Sequence, residues 1–313
     1  MRWGISKGHQ KMINFGHIQY LNCTPLFTAL QAHFDCEAYH FIDAVPSTLN
    51  AMLRSGELDL TPASSIEYAK AYEQYCLLPG MSISAMGPVK SVLLFTTVPI
   101  EELDGCPIGL TAESDTSVNL LKILLAKMYG LHNTFERTSL PVEEAMQRYP
   151  GMLVIGDAAL KAVAASAERG SQPGYQHVYD LAELWNQFTG LPFVFALWIV
   201  QRKAAVEHGA RLQQLARDLQ AAKQLASEKY TEIAARCPER AWLVEKGLVE
   251  YWRIMSFDLT PAHLEGVQTF FRYAHDLGLI PMVPELHFLG EDFSKSPRSI
   301  SQPTCSNHFG EAR

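Results

Sequence analysis

Five stretches of this 313-residue sequence place neutral hydrogen-bonding side chains where an apolar strand gives way to a helix. Asn22 closes the strand-like run MINFGHIQYL, just before a turn at Thr24–Pro25. Ser64 and Ser65 end LDLTPAS and open the next helix. Ser84, Gly87 and Ser91 lie in SISAMGPVKSV, ahead of a long apolar strand. Ser114, Thr116 and Ser117 surround a helix start, and Gly156 and Asp157 follow MLVI. The amino end of a helix presents unpaired N–H groups and the positive pole of its dipole. With hydroxyls beside it, such an end binds carboxylates without many cationic side chains. The pattern points to a small dicarboxylate held in a cleft. Any one of these serines alone reads as a helix cap, and Asp157 reads equally as a cap after Gly156. Their recurrence at one kind of junction favours a site.

Other chemistries fit poorly. The sequence has no G-x-G-x-x-G opening a helix and no G-x-x-x-x-G-K-[ST], so it gives no support to a nucleotide cofactor. It has no G-x-S-x-G nucleophile elbow. His33, Cys36 and His40 have a suggestive spacing, but they cross a helix end and a strand and lack a fourth ligand. We therefore expect no metal and no cofactor. Cys23, beside Asn22, reads as a buried thiol without a partner base. His17, inside an apolar strand, reads as a core histidine. Arg54 and Lys90 are the cations nearest these stretches, available to an anionic ligand.

The elements that must position these residues alternate between strand and helix. Hydrophobic residues make up 48 % of the chain, charged residues 19 %, and the formal net charge is −7. That balance suits a globular protein and offers no basic field for nucleic acid. The six cysteines are scattered with no C-x-x-C pair, which suggests free thiols in a reducing compartment. The first residues lack the apolar core of a secretory signal, and the longest apolar run, FVFALWIV at 193–200, is too short to span a bilayer. A soluble cytoplasmic protein with no membrane partner is expected.

Strands are expected at 12–21, 37–43, 58–64, 91–97, 106–111, 152–155 and 192–200. Helices are expected between them, and an almost purely helical stretch over 204–279. Ser64 and Glu67 form an S-x-x-E capping-box pattern, and Asp115 reads as the cap of the helix that follows it. Repeated strand–helix units imply a parallel sheet covered by helices on both faces. The strands at 91–97 and 192–200 bracket an α/β segment, so they read as two crossings into an inserted lobe. The first lobe would then comprise 12–97 plus 196–288 and the second 98–195, with the ligand in the cleft between them. Residues 1–11 and 289–313 read as disordered tails.

GHIQYLNCTPL, GELDLTPASSIEYA, LLPGMSISAMGPVKSV, TSVNLLKILL, IGDAAL and DLAELWNQFTGLPFVFALW occur in this order. Together they resemble the chorismate dehydratases of the futalosine route to menaquinone, over about 13–288. The resemblance implies an α/β, two-lobed fold of the periplasmic-binding-protein type (type II). It also implies dehydration of chorismate to 3-[(1-carboxyvinyl)oxy]benzoate. The family's catalytic asparagine and serine fall on Asn22 and Ser91, with Ser82 and Ser84 close enough to be confused with the latter. Substrate binding is then expected from Ser64, Ser65, Ser114, Thr116, Ser117, Gly156 and Asp157. The alternative is a solute-binding protein or sensor of the same fold. The dihydroxynaphthoate synthase of the same route shares the fold class, but YLN and TGLPFVFA fit it less well.

Overall fold

The computed structural model describes residues 12–111, 114–169 and 174–291. The first lobe opens with β1 (Ile13–Ile18), α1 (Thr24–His33), β2 (Tyr39–Ala44), α2 (Pro46–Ser55), β3 (Leu60–Ser64), α3 (Ser65–Ala71) and β4 (Tyr75–Ala85). The second follows with β5 (Val92–Thr96), β6 (Pro107–Leu110), α4 (Asp115–Ile123), β7 (Thr134–Arg137), α5 (Val142–Ala145), β8 (Gly151–Ile155), α6 (Gly156–Arg169), β9 (His177–Asp180) and α7 (Leu181–Thr189). The chain then returns through β10 (Phe193–Gln201) to α8 (Arg202–Glu228), α9 (Tyr230–Arg236), α10 (Glu245–Ile254), β11 (Ser256–Asp258) and α11 (Pro261–Asp276).

Two sheets result, ordered β11-β4-β10-β3-β1-β2 and β7-β6-β8-β5-β9. β5 lies wholly in the second sheet and β10 in the first. The expected lobe boundaries therefore shift: the chain crosses outward at about 86–91 and back at about 190–192. The sheets are mixed rather than parallel. β1 runs parallel to β2 and β3, and β6 to β7 and β8. β10 runs antiparallel to β3 and β4, and β5 to β8 and β9. A strand that re-enters a sheet from another lobe is free of the βαβ crossover that enforces parallel pairing.

The core forms where these strands bury both faces. β3 and β5 have no exposed residue. On β10, Trp198 lies with ring centroids 5.9 Å from both Phe15 and Phe27. Gly16 is required where β1 meets β3, because a Cβ there would fall 2.5 Å from Thr61 Oγ1. At the return crossing, Trp185 of α7, Phe193 of β10 and Phe270 of α11 interlock, with successive centroids 5.3 and 5.2 Å apart.

Asp180 ties the outward crossing down. Its Oδ2 accepts from the N–H groups of Val89 (2.9 Å) and Lys90 (2.6 Å). Its Oδ1 caps α7 by accepting from Ala182 and Glu183. Lys90 has φ +60°, the left-handed geometry that lets both amides face one carboxylate.

Two expected caps differ. Glu67 does not close a capping box on α3. It is fully buried and takes the Arg54 guanidinium and the Tyr75 hydroxyl instead. The cap of α4 is Ser114, whose Oγ accepts from Ser117 N–H, with Asp115 one position inside the helix. Of the expected tails, 1–11 and 292–313 lie outside the described residues. Leu289 is still held, its N–H donating to Leu77 O at 2.9 Å.

Candidate active site

A cleft with about 570 Å³ of atom-free space, counting its solvent-open mouth, lies between the two sheets. Its polar wall is Asn22, Ser64, Ser91, Ser114 and Ser117, with Gly156 and Tyr20. Ile18, Ile83, Val89, Val92, Ile155, Phe195 and Met255 supply the apolar remainder. Among the described residues this wall contains no carboxylate, histidine, lysine or arginine. An apolar body with a few convergent polar groups is the usual make-up of a small-molecule site.

Each polar group is aimed by local structure. Asn22 sits in the turn between β1 and α1. That turn is gripped on both sides of Leu21: Trp252 Nε1 donates to Leu21 O at 2.8 Å, and Leu21 N–H donates to Asp157 Oδ1 at 3.2 Å. The Asn22 Oδ1 is buried with no hydrogen-bond partner among the described residues. Such an orphan acceptor is costly in an empty site and is satisfied by a ligand that brings a donor.

Ser91 follows the outward crossing and is 3 % exposed. Its backbone carbonyl accepts from Gly156 N–H at 2.7 Å, joining the start of β5 to the start of α6. Its Oγ accepts from the Tyr251 hydroxyl at 2.9 Å, and Val89 O lies 3.4 Å away. Gly156 has φ +62°, and a side chain there would press on the Tyr20 ring, 3.2 Å from its Cβ position. Ser114 and Ser117 are hydrogen-bonded to each other at the amino end of α4.

The sequence expectation divides in two. Asn22, Ser64, Ser91, Ser114, Ser117 and Gly156 share the cavity. Ser65, Thr116 and Asp157 are absent from its wall, and each has a structural partner. Ser65 Oγ donates to Val194 O at 2.7 Å, pinning α3 to β10. Thr116 Oγ1 accepts from Ile66 N–H at 3.1 Å, joining α4 to α3 across the lobes. Asp157 holds Leu21, as above. Ser82 and Ser84 are separated from Ser91 by their partners: both donate to carbonyls of β11, Asp258 O and Ser256 O.

Burial, together with the charge of Asp157, pushes the Cys23 thiol far up, consistent with an inert packing residue. His17 faces away from the cavity wall and pairs with Asp43 at 2.6 Å. Arg54 is committed to Glu67. His33, Cys36 and His40 each find separate partners, in Lys229, Leu30 O and Asn14. Sequence reasoning missed Tyr251 and Trp252, adjacent buried aromatics on α10 that hold Ser91 and the Asn22 turn. The signal was there in outline, since a buried Tyr or Trp needs a partner for its polar tip.

Two mixed sheets joined by two crossings around a neutral, donor-lined cleft define a protein of the two-lobed binding-protein class. Solved structures agree on that fold. A protein of Archaeoglobus fulgidus matches with TM-score 0.68 at 18 % identity, covering 87 % of this chain and all of that one. The alkanesulfonate-binding protein SsuA of Xanthomonas axonopodis pv. citri, bound to MOPS, matches with TM-score 0.64 at 17 % identity, covering 89 % and 96 %. Within that class, residues 13–276 match the family described as menaquinone biosynthesis, and the chain belongs to it. A chorismate dehydratase of Thermus thermophilus is 39 % identical over 193 residues, covering 59 % of this chain and 68 % of that protein.

Proposed function

We propose that this protein is a hydro-lyase that converts chorismate to 3-[(1-carboxyvinyl)oxy]benzoate and water. The observation that carries the reading is the neutral wall of the cavity, with its buried orphan acceptor on Asn22. Chorismate brings two carboxylates and one ring hydroxyl. The serines and the amino ends of α4 and α6 suit the carboxylates, and the hydroxyl supplies the donor that Asn22 Oδ1 lacks. The fold and the relatedness to a chorismate dehydratase support the same reading.

The chemistry is a redox-neutral elimination. A ring C–H bond breaks, its electron pair completes the aromatic ring, and the C–O bond to the hydroxyl breaks. The proton and hydroxide leave together as water, so no oxidant or cofactor is required. Aromatisation makes the step downhill, which leaves the protein to orient the ring and stabilise charge on the departing oxygen. Asn22, accepting from the hydroxyl, orients the ring, and Ser91, donating to the departing oxygen, stabilises the charge on it. With no carboxylate or histidine among the described wall residues, one of the substrate's own carboxylates serves as base. The unpaired state of the five described cysteines fits a soluble cytoplasmic enzyme, and no described helix is long and apolar enough to cross a membrane.

The test is to incubate the protein with chorismate alone and follow products by mass spectrometry and ultraviolet absorbance. An aromatic product lighter by one water is expected. Unchanged chorismate overturns the reading, and tight calorimetric binding in that case marks a solute-binding protein or sensor.

A further inference from the structure

Tyr251 is 3 % exposed, lies in the middle of α10, and among the described residues makes one hydrogen bond, donating to Ser91 Oγ at 2.9 Å. A serine hydroxyl has one hydrogen to give and two lone pairs to receive. Among the described residues a good partner is supplied only on the receiving side. The acceptor nearest the Ser91 hydrogen, Val89 O, is 3.4 Å away, at the limit of a hydrogen bond. The phenol is the stronger acid of the two hydroxyls, and burial pushes its pKa further up, so it keeps its proton. With one lone pair of Ser91 occupied from behind, its hydrogen is left for the cavity. Successive O–H bonds polarise one another, so a serine that receives a hydrogen bond donates a stronger one.

We propose that Tyr251 is a positioning residue that fixes Ser91 as a hydrogen-bond donor toward the departing hydroxyl. It rests on the dehydratase reading given above. The adjacent Trp252 grips the Leu21 carbonyl, one residue from Asn22, so α10 orients both candidate catalytic groups from outside the cavity.

The experiment is a double-mutant cycle of Tyr251→Phe and Ser91→Ala, assayed for chorismate turnover and for thermal unfolding. Phenylalanine keeps the ring packing and removes only the donor. Alone, Tyr251→Phe lowers kcat on the order of tenfold to a hundredfold and leaves KM within about twofold. In the Ser91→Ala background it changes kcat by less than about twofold, because the hydroxyl it directs is gone. A purely structural role predicts the same loss in both backgrounds, accompanied by a lowered unfolding temperature. Equal losses, or an unaltered kcat in Tyr251→Phe, overturn the inference while wild-type turnover keeps the dehydratase reading intact. A wild-type protein inactive on chorismate overturns both.

Discussion

At the scale of single residues, neighbours of the same type have opposite fates. Ser64 lines the cavity while Ser65 binds the carbonyl of Val194. Asn22→Ala should lower turnover on the order of 10²–10³ and leave the circular dichroism spectrum unchanged, since Asn22 Oδ1 accepts no hydrogen bond from the described residues. Ser65→Ala should do the reverse. Turnover persists, and chemical denaturation shows a loss of about 1–3 kcal/mol for the buried carbonyl left unpaired. The sequence placed six of the nine expected residues at the cavity because strand–helix junctions are readable from apolar runs and caps. It could not separate Ser64 from Ser65, because successive side chains at a strand end point to opposite sides and the register is set by the fold. For Tyr251 the need for a partner was readable from its type but the partner was not, lying 160 positions away in the chain.

At the scale of elements, the crossings are what the local pattern obscured. β4 was not among the expected strands, and its apolar run is broken by Pro79 and Gly80. In the structure Gly80 has φ +72° and the pairing with β10 is irregular, so the strand continues past a bulge. The strand at 91–97 was legible as buried but not as belonging to the second sheet, since periodicity reports burial and not partnership. Asp180 joins the outward crossing to α7 through four backbone N–H groups. Asp180→Ala removes a helix cap and strands buried donors. Urea denaturation should show about 2–4 kcal/mol of lost stability. Chorismate turnover should fall as well, because Val89 and Lys90 lead directly into Ser91.

For the whole molecule, the lobes are tied face to face by side chains outside the cavity. Lys70 of α3 donates to Asp115 Oδ2 at 2.6 Å, and Arg137 of the second lobe to Oδ1 at 2.6 Å. Lys127 pairs with Asp276 at 2.7 Å. Burial alone would raise the Asp115 pKa, but the Lys70 and Arg137 bonds outweigh it and hold it below the ordinary 3.8. The Lys70 bond crosses between the lobes, so its share of the lowering favours their contact wherever Asp115 is ionised. The tie is therefore intact at neutral pH, persists to the ordinary carboxylate range, and fails as the pH falls below it. Asp115→Asn should weaken it at neutral pH, and the difference from wild type should vanish once the pH falls below the carboxylate range. Small-angle scattering should show a larger radius of gyration without ligand, and KM should rise more than kcat falls, with the difference from wild type shrinking at high salt.

The interposition of β10 between β3 and β4 has a consequence in time. The five strands of the second sheet come from one unbroken span, 92–180, whereas the first sheet has a gap at its centre until residues 193–201 are available. During synthesis the inserted lobe can close its sheet while the lobe that began first waits with two sheet edges bare. Non-local strand pairing is slow, and unpaired edges invite aggregation. In refolding followed by pulsed hydrogen exchange, amides of β6 and β8 should gain protection before those of β3 and β10. Trp198, on β10, marks the moment when the two separated parts of the older sheet are joined.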